Sequence, residues 1–387
     1  MAAIGNLTKW RRVRRKNVEE PLRILIIRRD GLGDFVLTTP LLRELRRNFS
    51  SAKITLLTGD NVKELATKCP YVDSAETIDP RVLRVSKLVD LIKFVETKFY
   101  GKFDLALLPR WDVDLYWSTL IACLSGAPRI VAYTRKTSRL KSRMNWGYDG
   151  LLTDVLPRGE LVHELDRTLA LVRYLGGTPK SHAMELWSIP ADIAEADSYL
   201  ETVGVKSRSR PWIAVGIGAS QRRRQWPYFA DLLALISQRM SFTPFVFVAP
   251  DEMDSASELK DAAPECVIVC QPLRVATVIM SRCNLFVGND SGPLHMAAAS
   301  GLPTVEISCH PQTGDRTSEH SPDRFGRTGE NARVVQPVDG LDNCSASCAE
   351  DFPHCISLVT PEQVIAAIES VVAIPASMPI KSSCWVH

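Results

Sequence analysis

The sequence predicts two Rossmann-like α/β units, each a parallel sheet covered by helices, and three observations predict them. The chain has 387 residues, more than one hydrophobic core ordinarily organises. Short β-branched apolar runs alternate with amphipathic helical stretches, which is how strand–helix–strand crossovers read in sequence. The alternation stops near Ile189 and Pro190 and then starts again, so the pattern occurs twice.

In the first half, residues 22–27 (Leu-Arg-Ile-Leu-Ile-Ile) form a buried parallel strand that breaks at Asp30-Gly31-Leu32-Gly33. A helix follows over about 34–49, with Val36, Leu37, Leu41, Leu42 and Leu45 inward and Arg43, Glu44, Arg46 and Arg47 outward. Further strands are expected at 54–57, 105–108 and 129–133, with helical stretches at 84–99 and 115–124. In the second half, strands are expected at 212–216, 245–248, 266–269, 285–287 and 304–307, with a helix over 229–240. These elements divide the chain into a basic tail (1–21), a first unit (22–190), a second unit (205–375) and a short tail (376–387). The change of unit is expected between 180 and 210. Ligands of open parallel sheets bind at the carboxyl ends of the strands, so the two units are expected to face one cleft. Residues 134–154 and 309–331 read as long irregular loops.

Composition sets the class. An apolar fraction of 45% with 24% charged residues is that of a soluble globular protein, and a net charge of +3 does not point to nucleic acid. No apolar run approaches the roughly 20 residues a membrane span requires. The expected location is cytoplasmic. Lys9, Arg11, Arg12, Arg14, Arg15 and Lys16 surround Trp10, a cluster suited to the anionic inner face of a membrane; a solvated tail is the plain alternative. Ten cysteines without secretory features read as reduced thiols.

Three segments carry the chemistry. Gly288-Asn289-Asp290-Ser291-Gly292-Pro293-Leu294-His295 reads as strand, glycine turn, then helix, with proline at the first helical position, where its missing N–H costs nothing. The start of such a helix presents unpaired amides and partial positive charge to a diphosphate, and Ser291 and His295 add donors. The plain reading of His295 is a packed core residue. Residues 217–227 place Arg222, Arg223 and Arg224 after a strand, where a guanidinium neutralises charge on a departing phosphate; a solvated loop is the alternative. In Arg28-Arg29-Asp30-Gly31-Leu32-Gly33-Asp34, the third glycine of a dinucleotide fingerprint would fall at Val36, which disfavours a dehydrogenase. Asp34 sits at the helix entrance and is a candidate general base, with helix capping as the ordinary reading.

Two weaker signals remain. Asp112 and Asp114 have the Asp-x-Asp spacing of metal-dependent sugar transferases, but a helix start and arginines already serve a diphosphate, so Asp112 or Asp114 is read instead as a contact to acceptor hydroxyls. Arg135 and Arg139 join it, in a basic loop suited to an anionic acceptor. Cys344, Cys348, His354 and Cys355 offer four candidate ligands for structural zinc or iron; three small buried cysteines are the alternative.

Taken together, Arg29-Asp30-Gly31-Leu32-Gly33-Asp34-Phe35-Val36-Leu37-Thr38-Thr39-Pro40, the Gly-Ala-Ser before Arg224-Gln225-Trp226-Pro227, and Asp290-Ser291-Gly292-Pro293-Leu294-His295 resemble glycosyltransferase family nine, the ADP-heptose:lipopolysaccharide heptosyltransferases. The resemblance runs from about Arg23 to Ile374. It implies a GT-B fold and heptose transfer from an ADP-sugar donor, with inversion, no catalytic metal and no other cofactor required for catalysis. It puts Asp34 at the general-base position and Ser220, Arg224, Asp290, Ser291, Gly292 and His295 on donor-binding positions. Asp251 or Glu252 falls near the adenosine ribose. The family often has lysine where this chain has Arg224. Acceptors in the family are lipid A–Kdo, inner-core heptose or other glycans, so an anionic glycolipid is expected here. Relatives that modify autotransporter proteins carry an iron-binding cysteine finger, which keeps a protein acceptor open. A non-catalytic nucleotide-sugar binder and a nucleotide-sugar epimerase are the competing classes.

Overall fold

A computed structural model describes residues 22–78, 88–160, 162–205, 210–326, 331–342, 344 and 346–372. The basic cluster around Trp10, the start of the helix expected from Arg84, and the tail beyond 375 lie outside the described residues. The described chain divides into two compact units. One contains the residues up to 160 together with Leu165–His182, and the other contains Val162–Glu164 and the residues from Ala183 onward.

The first unit is a parallel sheet of six strands, β1 (Arg23–Arg28), β2 (Lys53–Gly59), β3 (Ser74–Ile78), β4 (Leu105–Leu108), β5 (Arg129–Tyr133) and β6 (Asp154–Leu156), in the order β3-β2-β1-β4-β5-β6. The central strands are apolar on both faces because helices cover both, and Ile24, Leu25, Ile26 and Ile27 are at most 1% exposed. Leu22 precedes β1, so the strand begins one residue later than expected. The helix after it runs Leu32–Asn48, two residues earlier than the sequence suggested, because Gly31 takes the cap position in extended conformation. Pro40 lies inside this helix.

The second unit repeats the plan with β7 (Trp212–Gly216), β8 (Thr243–Phe247), β9 (Val267–Val269), β10 (Leu285–Asn289), β11 (Thr304–Ile307) and β12 (Ala332–Val335), in the order β12-β11-β10-β7-β8-β9. All its strand pairs are parallel. Renumbered within its own unit, this is the same order as in the first. In each sheet the first and fourth strands are neighbours whose following connections run to opposite sides, which opens a crevice at their carboxyl ends. The crevices lie at the ends of β1 and β4 in one unit and of β7 and β10 in the other.

Residues 190–205, which the expected bounds left between the units, are largely the helix Pro190–Thr202, which belongs to the second unit. It starts on a proline at its first position, and Arg274 pairs with its Asp192 at 2.8 Å. The short segment Val162–Glu164 also belongs there, through a buried ion pair of Glu164 with Arg324 at 2.7 Å. The loop 134–154 is also less irregular than expected: it holds the helix Arg139–Met144 and two 3-10 turns before β6.

Candidate active site

In the first unit the crevice is lined by charge. Arg28, at the end of β1, reaches Asp34 at 2.6 Å and Asp30 at 2.9 Å, and Arg110, beyond β4, reaches Asp30 at 2.5 Å. Asp34 is the third residue of the helix Leu32–Asn48, not its cap; its second oxygen accepts the Gly31 N–H at 3.3 Å. The two acids differ in access. The Asp34 side chain is 28% exposed, whereas that of Asp30 is 3% exposed. Burial raises the Asp30 carboxyl above the ordinary range against the pull of Arg28, and the charge of Asp34 adds to the rise. Burial opposes the charge on Arg110, but Asp30, Asp34 and Asp112 together hold its guanidinium above its usual value. Asp34 is thus the accessible carboxylate of the group, oriented by an arginine.

The Asp-x-Asp pair separates in role. Asp114 accepts the backbone N–H groups of Tyr116, Ser118 and Thr119 at 3.2, 3.0 and 2.8 Å, so it builds the entry to the helix Ser118–Leu124 and is spent on structure. Asp112 lies within the field of Arg110 and Lys141. Lys141 is buried and donates to the carbonyls of Trp111 and Tyr133 at 2.8 and 3.3 Å; burial lowers it to about 8. Arg135 donates to Ser142, and Arg139 is exposed at the start of its helix. Arg110, Asp114, Arg135 and Lys141 also border a small cavity of about 20 Å³, large enough for ordered water.

In the second unit, the loops after β7 and β10 are joined side by side. Asn289, fully buried, donates to the Ile217 carbonyl at 2.6 Å and accepts the Trp226 N–H at 3.1 Å. Arg224 is thereby carried to Asp290, whose carboxylate it meets at 3.1 Å. Its other donors reach His320 Nδ1 at 3.1 and 2.8 Å and the Glu319 carbonyl at 2.7 Å. Burial, reinforced by Arg224 and Arg223, pushes His320 down to about 3, so the imidazole stays neutral and its Nδ1 accepts. The guanidinium plane is therefore fixed, with 16% of the side chain exposed.

Ser291 caps the helix Gly292–Ala299 in extended conformation, but its hydroxyl donates to the Asn289 carbonyl at 3.2 Å and makes no side-chain bond to the helix start. His295 is buried one turn in, at 6% exposure. Ser220 is exposed. Asp251 and Glu252 occupy the 3-10 turn Pro250–Glu252 after β8; Glu252 accepts the Ala249 N–H at 2.9 Å and packs where any side chain on Gly218 would have to sit. Gly288 is the stricter requirement, because a Cβ there would strike the Gly216 carbonyl and the Phe286 ring, whereas Glu252 is a flexible side chain that can move.

Sequence reasoning missed Arg28, Arg110, Asn289, His320 and Glu306. Glu306, inside β11, is 2% exposed, and neither carboxyl oxygen meets a hydrogen-bond partner among the described residues. Burial raises it well above the ordinary carboxyl range, Asp290 adds to the rise and Arg224 opposes it. It is a neutral acid beneath the Arg224–Asp290 pair. An acid raised in the folded state contributes stability that is present below its unfolded value and lost as pH rises through the folded one. Glu306→Gln should therefore melt higher than the parent at neutral pH by about 2–4 °C, for a gain on the order of 1 kcal/mol. The gap should close toward about pH 4; melting curves whose difference ignores pH would refute this.

A family model described as glycosyltransferase family 9 (heptosyltransferase) matches residues 132–313, a stretch that contains the loops after β7 and β10. Over that stretch, a little under half of the chain, the sequence matches glycosyltransferase family 9, and the match together with the curated relatives supports a glycosyltransferase. Lipooligosaccharide heptosyltransferase 2 of Haemophilus ducreyi is 21% identical over 377 residues, 91% of this chain and 100% of the relative. The crystal structure of a family 9 glycosyl transferase from Veillonella parvula superposes with a TM-score of 0.73 at 21% identity, covering 92% of this chain and 99% of that one. E. coli ADP-heptose lps heptosyltransferase II follows at 0.66 and 19%, covering 91% and 98%. The two six-stranded parallel units are those of the GT-B class that this chain shares with its structural neighbours.

Proposed function

We propose that this protein transfers heptose from an ADP-heptose donor to an anionic lipopolysaccharide core acceptor, with inversion at the anomeric carbon and without a catalytic metal. The observation that carries this reading is the preset guanidinium of Arg224 beside Asp290, at the start of the helix Gly292–Ala299. Oriented positive charge and helix-start amides at one place do for a departing diphosphate what a metal would otherwise do. Ser220, Ser291, Gly292 and His295 complete the donor side, and Asp251 or Glu252 takes the ribose. Asp34 removes the proton of the acceptor hydroxyl, whose oxygen then bonds to the anomeric carbon. The bond from that carbon to the phosphate oxygen breaks, and its electron pair leaves with ADP. The transfer step calls on no cofactor, and the metal that Cys344, Cys348, His354 and Cys355 would hold is structural. The relatives' own names as heptosyltransferases support the donor sugar.

The acceptor is membrane-borne in this reading, and the enzyme works from the cytoplasmic surface. No helix among the described residues is long and apolar enough to cross a membrane. The segment from Lys136 to Leu151 nevertheless exposes Leu140 at 58%, Met144 at 54% and Trp146 at 79%, among the exposed cations Lys136, Arg139 and Arg143. Apolar tips among cations suit the headgroup region of an anionic bilayer. One experiment tests donor, acceptor and surface together: ADP release from ADP-heptose, measured without acceptor, with detergent-dispersed lipid A–Kdo, and with the same acceptor in anionic vesicles. Release should require acceptor, and Trp146→Ala should slow only the vesicle arm. Release without acceptor would favour an epimerase or hydrolase, ADP-heptose binding without release a sensor, and release only with a polypeptide acceptor a protein heptosyltransferase.

A further inference from the structure

The cysteine cluster gathers tightly in space. The ligand atoms of Cys344, Cys348, His354 and Cys355 all lie within 4.8 Å of one another, and the three cysteines are at most 1% exposed. Three sulfurs converge on a single nitrogen: His354 Nδ1 lies 3.5 Å from Cys344 Sγ, 3.9 Å from Cys348 Sγ and 3.5 Å from Cys355 Sγ. One ring nitrogen has one lone pair or one proton, so a hydrogen bond accounts for one of these contacts and leaves two unexplained. A cation at the centre accounts for all of them. Tetrahedral zinc, with bonds of about 2.3 Å to sulfur and about 2.0 Å to nitrogen, sets sulfur and nitrogen roughly 3.6 Å apart. The Ala349 N–H also points at Cys344 Sγ at 3.3 Å, a donor suited to a metal-bound thiolate.

The knot also explains how the donor loop is held. No helix or strand occurs among the described residues of 336–354, so the stretch is held by scattered hydrogen bonds, to which a metal cross-link would add. Yet three of its groups carry load. The Cys348 carbonyl accepts Arg223 at 2.7 Å, the Ala346 carbonyl accepts the Asp315 N–H at 2.8 Å, and Ser347 Oγ meets Ser318 Oγ at 3.1 Å. Arg223 is the chain neighbour of Arg224, and the segment from Asp315 leads to Glu319 and His320, which hold the Arg224 guanidinium. Both supports of Arg224 therefore rest on the knot.

We propose that these four residues bind one zinc ion whose role is to fix the Arg223–Arg224 loop for the donor diphosphate, an inference that rests on the donor reading above. The full chain purified from zinc-replete medium should contain about one zinc by elemental mass spectrometry. Stripping it with a chelator should weaken ADP binding, read by calorimetry, by roughly tenfold, and zinc alone should restore it. Arg223→Ala, which removes a contact to the Cys348 carbonyl but no metal-ligating atom, should lose a similar factor while keeping its zinc, so the coupling is tested even where the stripped protein melts. Iron in place of zinc, or no metal, overturns the site. Zinc that can be removed, or an Arg223→Ala change, without loss of ADP affinity overturns the coupling. Untreated protein that holds zinc and does not bind ADP overturns the donor reading and the coupling with it, leaving the zinc site established by its metal content.

Discussion

Asp34→Asn should lower acceptor-dependent turnover by roughly 10²–10⁴-fold, the range a positioned general base supplies, while leaving ADP affinity within about twofold. The amide is isosteric but carries no charge and cannot take a proton from the attacking hydroxyl. Neighbouring acids offer no substitute. Asp30 is buried and engaged by Arg110 at 2.5 Å, and Asp114 is committed to three backbone amides. The fold should tolerate the change, because Arg28 keeps Asp30 at 2.9 Å when its partner at Asp34 becomes neutral. Single-turnover kinetics separate the chemical step from product release. Turnover near the parent's in this variant would remove Asp34 from the mechanism; loss of ADP affinity to the same degree would make it a binding residue instead.

What was legible in the sequence follows from what carries a local signal. β1, β4, β7 and β10 are central strands buried on both faces, and their apolar runs stand out. β3, β6 and β12 escaped notice. They are edge strands in which Ser-Ala-Glu-Thr-Ile, Asp-Val-Leu and Ala-Arg-Val-Val leave most positions partly or fully exposed, so no apolar run or alternation forms. The site divides in the same way. Asp34, Arg224 and Asp290 lie in strand-to-helix turns that announce themselves through glycine and proline. His320 is 96 residues from the arginine it holds, inside a stretch without periodicity, and only folding brings the two together. Two missed residues did leave a trace: a charged residue in an apolar central strand is an anomaly, as Glu306 is among Thr304, Val305 and Ile307, and Arg28 at the end of β1. Asn289 left none, since an asparagine after a glycine reads as turn chemistry, whereas here its side chain pins two loops together.

Arg224→Ala should reduce kcat/KM by roughly 10²–10³-fold, the loss that follows removal of one oriented charge from a site where charge develops. The argument depends on pre-organisation. The guanidinium is held by His320 Nδ1 and the Glu319 carbonyl on one side and faces Asp290 on the other, so little reorientation remains to be done when the phosphate leaves. Truncation also strands two acceptors and leaves the Asp290 carboxylate without its ion-pair partner. Arg224→Lys separates charge from geometry. A lysine restores the positive charge but reaches at most part of the fork, so it should recover most of the ADP affinity and a smaller part of kcat. His320→Ala supplies the complementary test: it keeps the charge and frees the plane, and its loss should fall on kcat more than on KM. His320 is held near 3 and stays neutral across the working range, so its removal should leave the shape of the pH–rate profile unchanged above about pH 5. Equal kcat in the parent and Arg224→Ala would mean that the helix start at Gly292 carries the leaving group alone.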